Sequence, residues 1–243
     1  MSDSQHLRDL KSVWGEACHT MWTELAALRC TAGFLHANYT TIDDDTPLTD
    51  LVYAPESKGR MKDVTKLAFL ERLDRYMQAV VTGRLVLLSA AFELYFRYFL
   101  DDYLKTRPKY YDATAGGRTA DGDKLYGEVT KVRGLSERIT KFAELTNAKV
   151  NRITPHLPAL TDVYHLRNVI AHRAGAVDAG AAGKLSIVKL TAGQRAVVTV
   201  EELLKLAASV LEIASALDGK ITDPAPAPPK RTQPSVRVPR KPR

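Results

Sequence analysis

Long apolar runs are missing from this chain. The longest, LVLLSAAF at residues 85–92, is bounded by Arg84 and Glu93 and falls well short of the roughly 20 residues needed to cross a bilayer. The first residues, MSDSQHLRDL, lack the basic-then-apolar pattern of a secretory signal. No membrane partner is expected, and the cytoplasm is the expected compartment. Cysteine is scarce: Cys18 and Cys30 are the two present, with no CxxC. Both fall on one predicted helix, about 18 Å apart along its axis, too far for a disulfide unless that helix is broken. Both are expected to stay reduced, and neither has the surroundings of a nucleophile. No cluster of histidine, cysteine and acid has metal-ligand spacing, so neither a metal nor another cofactor is expected.

Acid is missing from one end. From Pro224 onward, PAPAPPKRTQPSVRVPRKPR carries Lys230, Arg231, Arg237, Arg240, Lys241 and Arg243 and neither Asp nor Glu. Removing those six charges from the formal net of +7 leaves the body near +1. The basic character is therefore a tail property. A Pro-rich basic segment cannot build a core and is expected to be disordered. It is either an arm for nucleic-acid phosphates or a solvated, non-specific tail.

What remains is a globular protein. Its 243 residues, 45% apolar and 26% charged, can bury a substantial core. No internal repeat is visible. Residues 4–38 read as one long helix, with Leu7, Leu10, Trp14, Ala17, Met21, Leu25 and Leu28 at spacings of three and four. DDDTPLTDLVYAPESKGR at 43–60 reads as a loop. A helical region follows from about Asp63 to Lys105, with Gly83 as a candidate interruption. Its second half, RLVLLSAAFELYFRYFLDDYL, is apolar over a wide arc and suits the centre of a core. Residues 106–122 read as a loop, and 123–146 as a helix. TPHLPALTDVYHLRNVIAHRAG at 154–175 supplies another helix, with Pro158 suiting its first turn and Gly175 its stop. KLSIVKL and RAVVTV, separated by TAGQ, read as a short β-hairpin. Thr199 and Glu202 form a capping box for a last helix running to about Leu217. The expected organisation is an N-terminal helix over 1–42, a helical domain over 63–217 and a disordered tail over 218–243.

The helix before that hairpin contains LRNVIAHRAG at 166–175. At 100° per residue, Thr161, His165, Asn168 and His172 fall within an arc of about 60°, a polar stripe. Leu160, Val163, Leu166 and Ile170 lie on roughly the opposite side, and Arg167 falls among them. A guanidinium on an apolar face is costly unless it finds an acid, a subunit surface or a ligand phosphate. Arg167 and His172 are about 140° apart on the ideal helix. They meet only if the helix loosens near Gly175 or a second helix completes the site, which points to an interface.

RNVIAH at 167–172 is similar to the R-x4–6-H signature of HEPN domains, including a polar residue directly after the arginine. The helical context, the late position, the glycine soon after and the final helix agree with it, as does the continuation AHRAGAVD. The resemblance covers roughly residues 63–217. It implies an all-α fold: a HEPN-like helical bundle, here with a small β-hairpin before the last helix. It further implies a metal-independent endoribonuclease acting as a homodimer, with two motifs facing each other across the two-fold axis. His172 would take the proton from an RNA 2′-OH, Arg167 would stabilise phosphate charge, and Asn168 would support them. A toxin or defence effector, with an antitoxin or regulatory protein as partner, is the setting the resemblance implies. A non-catalytic HEPN module binding nucleotide, RNA or protein is the alternative.

Each residue also has a structural reading. His172 suits a helix C-terminus through the dipole. Arg167 could pair with Glu93, an acid standing out in LLSAAFELYF, and Glu93 would then position it for catalysis. His165 reads as a surface or interface residue. It lies two turns from His172, about 10 Å along the axis, too far to share one zinc. Lys105, Arg107, Lys109, Tyr110, Tyr111 and Arg118 around the long loop offer charge and stacking to single-stranded RNA.

Overall fold

The computed structural model describes residues 3–51 and 64–222. The disordered tail expected from Pro224 onward lies outside the described residues, as does the second half of the loop over 43–60, residues 52–60; its first half ends in the short helix at Leu48–Leu51. The fold is all-α. Its elements are α1 (Gln5–Ala37), α2 (Leu48–Leu51), α3 (Lys66–Lys105), β1 (Tyr111–Asp112), β2 (Gly117–Arg118), α4 (Ala120–Thr130), α5 (Leu135–Thr146), α6 (Leu157–Arg173), α7 (Ala179–Ala182) and α8 (Val200–Thr222).

Helix α3 is the hub: it packs against α1, α6 and α8, and α5 closes over α6. Phe92, Phe99, Leu100 and Leu104 on α3 are fully buried, and Phe99 meets Phe142 of α5 edge to face, with ring centroids 5.3 Å apart. Helix α1 belongs to the same core, burying Leu7, Leu10, Trp14, Met21 and Leu25 along the stripe its sequence spacing defines. Its first turn is capped by Ser4, whose hydroxyl accepts from the Leu7 amide. Thr199 and Glu202 close a reciprocal capping box at α8: the Glu202 amide donates to Thr199 Oγ1 at 3.1 Å, and the Thr199 amide donates to Glu202 Oε2 at 2.8 Å. That helix continues to Thr222, five residues past the expected Leu217.

Several expectations are corrected. Gly83 does not interrupt α3. It sits on the exposed side of the helix, where the missing side chain costs about 1 kcal/mol of propensity but opens no hole in the core. The stretch 123–146 is two helices, not one. They part at Lys131–Gly134, where Gly134 is the N-cap of α5 and Arg138 Nε donates to the Val132 carbonyl of the linker at 2.6 Å. A bend there lets α4 and α5 pack on each other.

The β-hairpin before the last helix is absent. Residues 184–199 form no strand; the described strands are β1 and β2, an antiparallel pair with Tyr111 opposite Arg118, inside the stretch read as a loop. Asp162 is the reason. This fully buried carboxylate on α6 accepts from the amides of Ser186, Ile187 and Val188 at 2.7–2.8 Å. Those donors are spent on a side chain and are withheld from a sheet ladder. The β-branched Val188 and Val198 pack as irregular chain into the core. The pairing here is limited to one bridge, Ala176 with Arg195, and the backbone hydrogen bonds around it between residues 175–177 and 193–196.

One further correction concerns apolar length. Once two charges are tolerated, α3 is long and apolar enough to cross a membrane by length and composition. Uninterrupted runs, broken at Arg84 and Glu93, hide this. Phe92, Tyr95, Phe96, Phe99 and Tyr103 are buried against other helices of the chain, as in the central helix of a folded core, while Tyr98 is exposed.

Candidate active site

Helix α6 carries the site. Its inner face, Ala159, Leu160, Val163 and Leu166, is fully buried and fixes the helix rotation. The polar stripe therefore faces outward: Thr161, His165 and Asn168 are half-buried and His172 is exposed. The helix ends at Arg173 with Ala174 as its C-cap, so Gly175 stands just past the end, as expected of its stop. Ala174 adopts φ 49° and Gly175 φ 83°, and the Gly175 amide returns to the Val169 carbonyl at 3.0 Å, a left-handed C-terminal cap. The chain turns away immediately after His172 and Arg173 and leaves the imidazole at an open edge.

Arg167, Asn168 and His172 come together. Arg167 Nη1 donates to Asn168 Oδ1 at 2.9 Å and lies 3.3 Å from His172 Nε2. Neutral His172 with its proton on Nδ1 would accept there. The expected obstacle, the 140° between Arg167 and His172, is overcome within one chain. The helix need not loosen and no second helix is needed for the contact, because the long arginine stem lies across the apolar flank and delivers its planar head to the stripe. The convergence therefore no longer argues for an interface by itself.

Glu93 is not Arg167's partner. It forms an ion pair with Arg138 of α5, Arg138 Nη1 to Glu93 Oε1 at 2.9 Å, which ties α3 to α5. Arg167 makes no ion pair among the described residues. A half-buried guanidinium is thus held by an amide and an imidazole, with no acid to neutralise it. Such a group is ready for an anion.

A cleft of about 520 Å³ opens beside the cluster, with Asn168 as a shared wall. The α4–α5 linker contributes Arg133, α6 contributes Tyr164, His165 and Arg173, and Lys184 follows α7. Burial, and then the charge of Lys184, push His165 below the usual imidazole range, against the opposing pull of Glu137 and Asp162. Arg173 is engaged by Asp178. That carboxylate is held below its usual range chiefly by the Ala181 amide, with Arg173 adding to the effect.

His165, expected as a surface or interface residue, lines this cleft, and the sequence carries no signal for Arg133 or Lys184, which lie 34 residues before Arg167 and 12 residues after His172 and meet at the cleft through the α5 and α7 packing. Asp162 was also missed; a lone acid inside TDVYHL was the available signal. The loop cations are placed less favourably for RNA than expected. Arg107 is buried, with its ring-face contact to Tyr103 at 3.6 Å and bonds to the Tyr103 and Lys220 carbonyls. Arg118 pairs with Asp101 and stacks on Tyr126. Lys109 lies over the Tyr110 ring. No group of three or more histidines, cysteines or acids stands together as a metal site among the described residues.

The fold and site define an all-α protein with an uncompensated arginine beside an exposed histidine. No family model matches the chain, and neither a curated protein nor a solved structure does.

Proposed function

We propose that the chain is a metal-independent endoribonuclease of HEPN type that acts as a cytoplasmic homodimer. The observation that carries this reading is the contact between Arg167 and His172, 3.3 Å apart at an exposed helix end, with neither residue in an ion pair among the described residues. Neutral His172 removes the proton from an RNA 2′-OH. The freed oxygen attacks the adjacent phosphorus, the bond to the 5′-oxygen breaks, and a 2′,3′-cyclic phosphate forms. The guanidinium of Arg167 turns from the imidazole to the phosphate oxygens and offsets the charge that builds there. Asn168 keeps the guanidinium in plane through its 2.9 Å bond. The departing 5′-oxygen takes its proton from the His172 of a second copy. A toxin or defence effector restrained by an antitoxin or regulatory protein is the setting that suits such a chain.

The test is cleavage of single-stranded RNA in excess EDTA. The expected products carry a 2′,3′-cyclic phosphate and a 5′-hydroxyl, and His172→Ala loses activity by about 10²–10⁴. Activity that needs added magnesium overturns the mechanism. Cleavage unaffected by His172→Ala leaves the alternative, a non-catalytic module that binds nucleotide, RNA or a protein partner through the same cluster.

A further inference from the structure

The cleft beside the cluster carries more charge than the fold needs. Arg133 and Lys184 both line it and are exposed, and neither makes an ion pair or side-chain hydrogen bond among the described residues. Structural cations in this chain behave differently: Arg138, Arg118, Arg84 and buried Lys66 each hold an acid. The acids at the cleft are already committed. Asp178 caps α7 and pairs with Arg173, and Glu137 accepts from the Ser136 hydroxyl at 2.9 Å and lies folded against Gly134.

Size and walls narrow the ligand. About 520 Å³ is far more than one phosphate occupies, and it falls in the range of small-molecule sites. Tyr164 and His165 supply adjoining rings, with centroids 5.3 Å apart, along one wall. Rings plus cations are the pattern that receives a base together with its phosphate. Asn168 joins the cleft to the cluster: its Oδ1 accepts from Arg167 while its residue lines the cleft.

We infer that this cleft binds the nucleotide next to the scissile phosphate of a single-stranded RNA, with Arg133 and Lys184 holding that nucleotide's own phosphate and Tyr164 and His165 facing its base. This rests on the ribonuclease reading for the words "next to the scissile phosphate", and on the cleft alone for the nucleotide. The Lys184 amide donates to the Ala181 carbonyl at the end of α7, and the loop just after it is held to Asp162 by three amides.

The experiment measures binding of a short fluorescent single-stranded RNA to the full chain carrying His172→Ala, so that cleavage does not interfere. Adding Arg133→Ser and Lys184→Ser together should weaken binding at least about tenfold. It should also lower the salt slope by about 1.4, since each single-strand phosphate contact releases counterions worth roughly 0.7. Removing two exposed cations elsewhere, Arg29→Ser with Arg97→Ser, should change binding less than about twofold. Equal losses in both double variants, or no loss in either, overturn the inference. With His172 intact, the cleft variant should raise KM for RNA by a similar factor. Cleavage with unchanged KM sinks the cleft and spares the ribonuclease reading. Absence of cleavage in the unmutated chain, with binding lost only in the cleft variant, sinks the ribonuclease reading and leaves the cleft as an RNA site.

Discussion

Arg167 reaches His172 at 3.3 Å from a helix position about 140° around the circumference. The reach depends on a long stem ending in a flat, multi-donor head. One nitrogen of that head serves both Asn168 and His172, which leaves the remaining donors for a phosphate. Lysine has the length but not the fork. Arg167→Lys should therefore lower kcat for RNA cleavage by about 10²–10³, the loss typical of a removed charge-stabilising donor, with the thermal midpoint shifting by only a few degrees. A lysine variant that cleaves within about threefold of the unmutated chain would show that simple positive charge suffices.

Asp162 governs the shape of the region after α6. Removing its carboxylate with Asp162→Ala strands three amides, of which Val188 is fully buried. Each buried orphan costs roughly 1–3 kcal/mol, while the exposed Ser186 amide is rescued by water. A total loss of about 3 kcal/mol is expected, lowering the midpoint by roughly 10 °C at this chain length. Calorimetry of the variant checks it. A shift under about 2 °C would mean that the loop holds without its anchor.

The helices were legible in the sequence because their patterns are local. The stripe Leu7, Leu10, Trp14, Ala17 and Met21 predicts α1, and Thr199 with Glu202 predicts the start of α8 within a residue. The missing hairpin was illegible because KLSIVKL has the composition of a strand. What decides its fate is a carboxylate 24 residues earlier, and no local pattern records that. The cluster was half legible. Periodicity placed Asn168 and His172 on one stripe, but a helical wheel plots Cβ directions and not the ends of long side chains, so it put Arg167 out of reach. Glu93 was assigned the wrong cation because Arg138 arrives from α5, whose separation from α4 was itself unforeseen. Arg133 and Lys184 entered through the same tertiary packing.

His165 makes stability depend on pH. Burial and Lys184 hold its pKa below the usual imidazole range. Arg133 and Arg173 also line its cleft, with Glu137, Asp162 and Asp178 as the nearby acids. In the unfolded chain the imidazole takes up its proton near pH 6.5; in the folded chain it does so at lower pH. The unfolded state binds more protons in that window, so stability rises with pH across it and is lost as pH falls from about 6.5 toward the folded value. His165→Gln should flatten the midpoint-versus-pH curve between those limits relative to the unmutated chain. A variant whose curve stays parallel to the original would show that His165 titrates normally.

The proposed chemistry needs two proton transfers, one from the 2′-OH and one to the departing 5′-oxygen. A single chain presents one histidine in contact with Arg167; His165 is two turns away, about 10 Å along the axis, and is held neutral-leaning by its surroundings. A partner copy related by a two-fold axis would bring a second exposed His172 to the same phosphate. Because Arg167 and His172 converge within one chain, the proposed dimer would be needed for the second proton and not for the arginine. A mixed dimer with one His172→Ala subunit should then fall well below half of normal activity, because each cut draws on both histidines. A mixed dimer with one Arg167→Ala subunit should retain more, since the surviving Arg167 still meets the phosphate. Half activity in the histidine hybrid would mean that each subunit is complete. A chain that sediments as a monomer at its active concentration would remove the partner's histidine from the mechanism altogether.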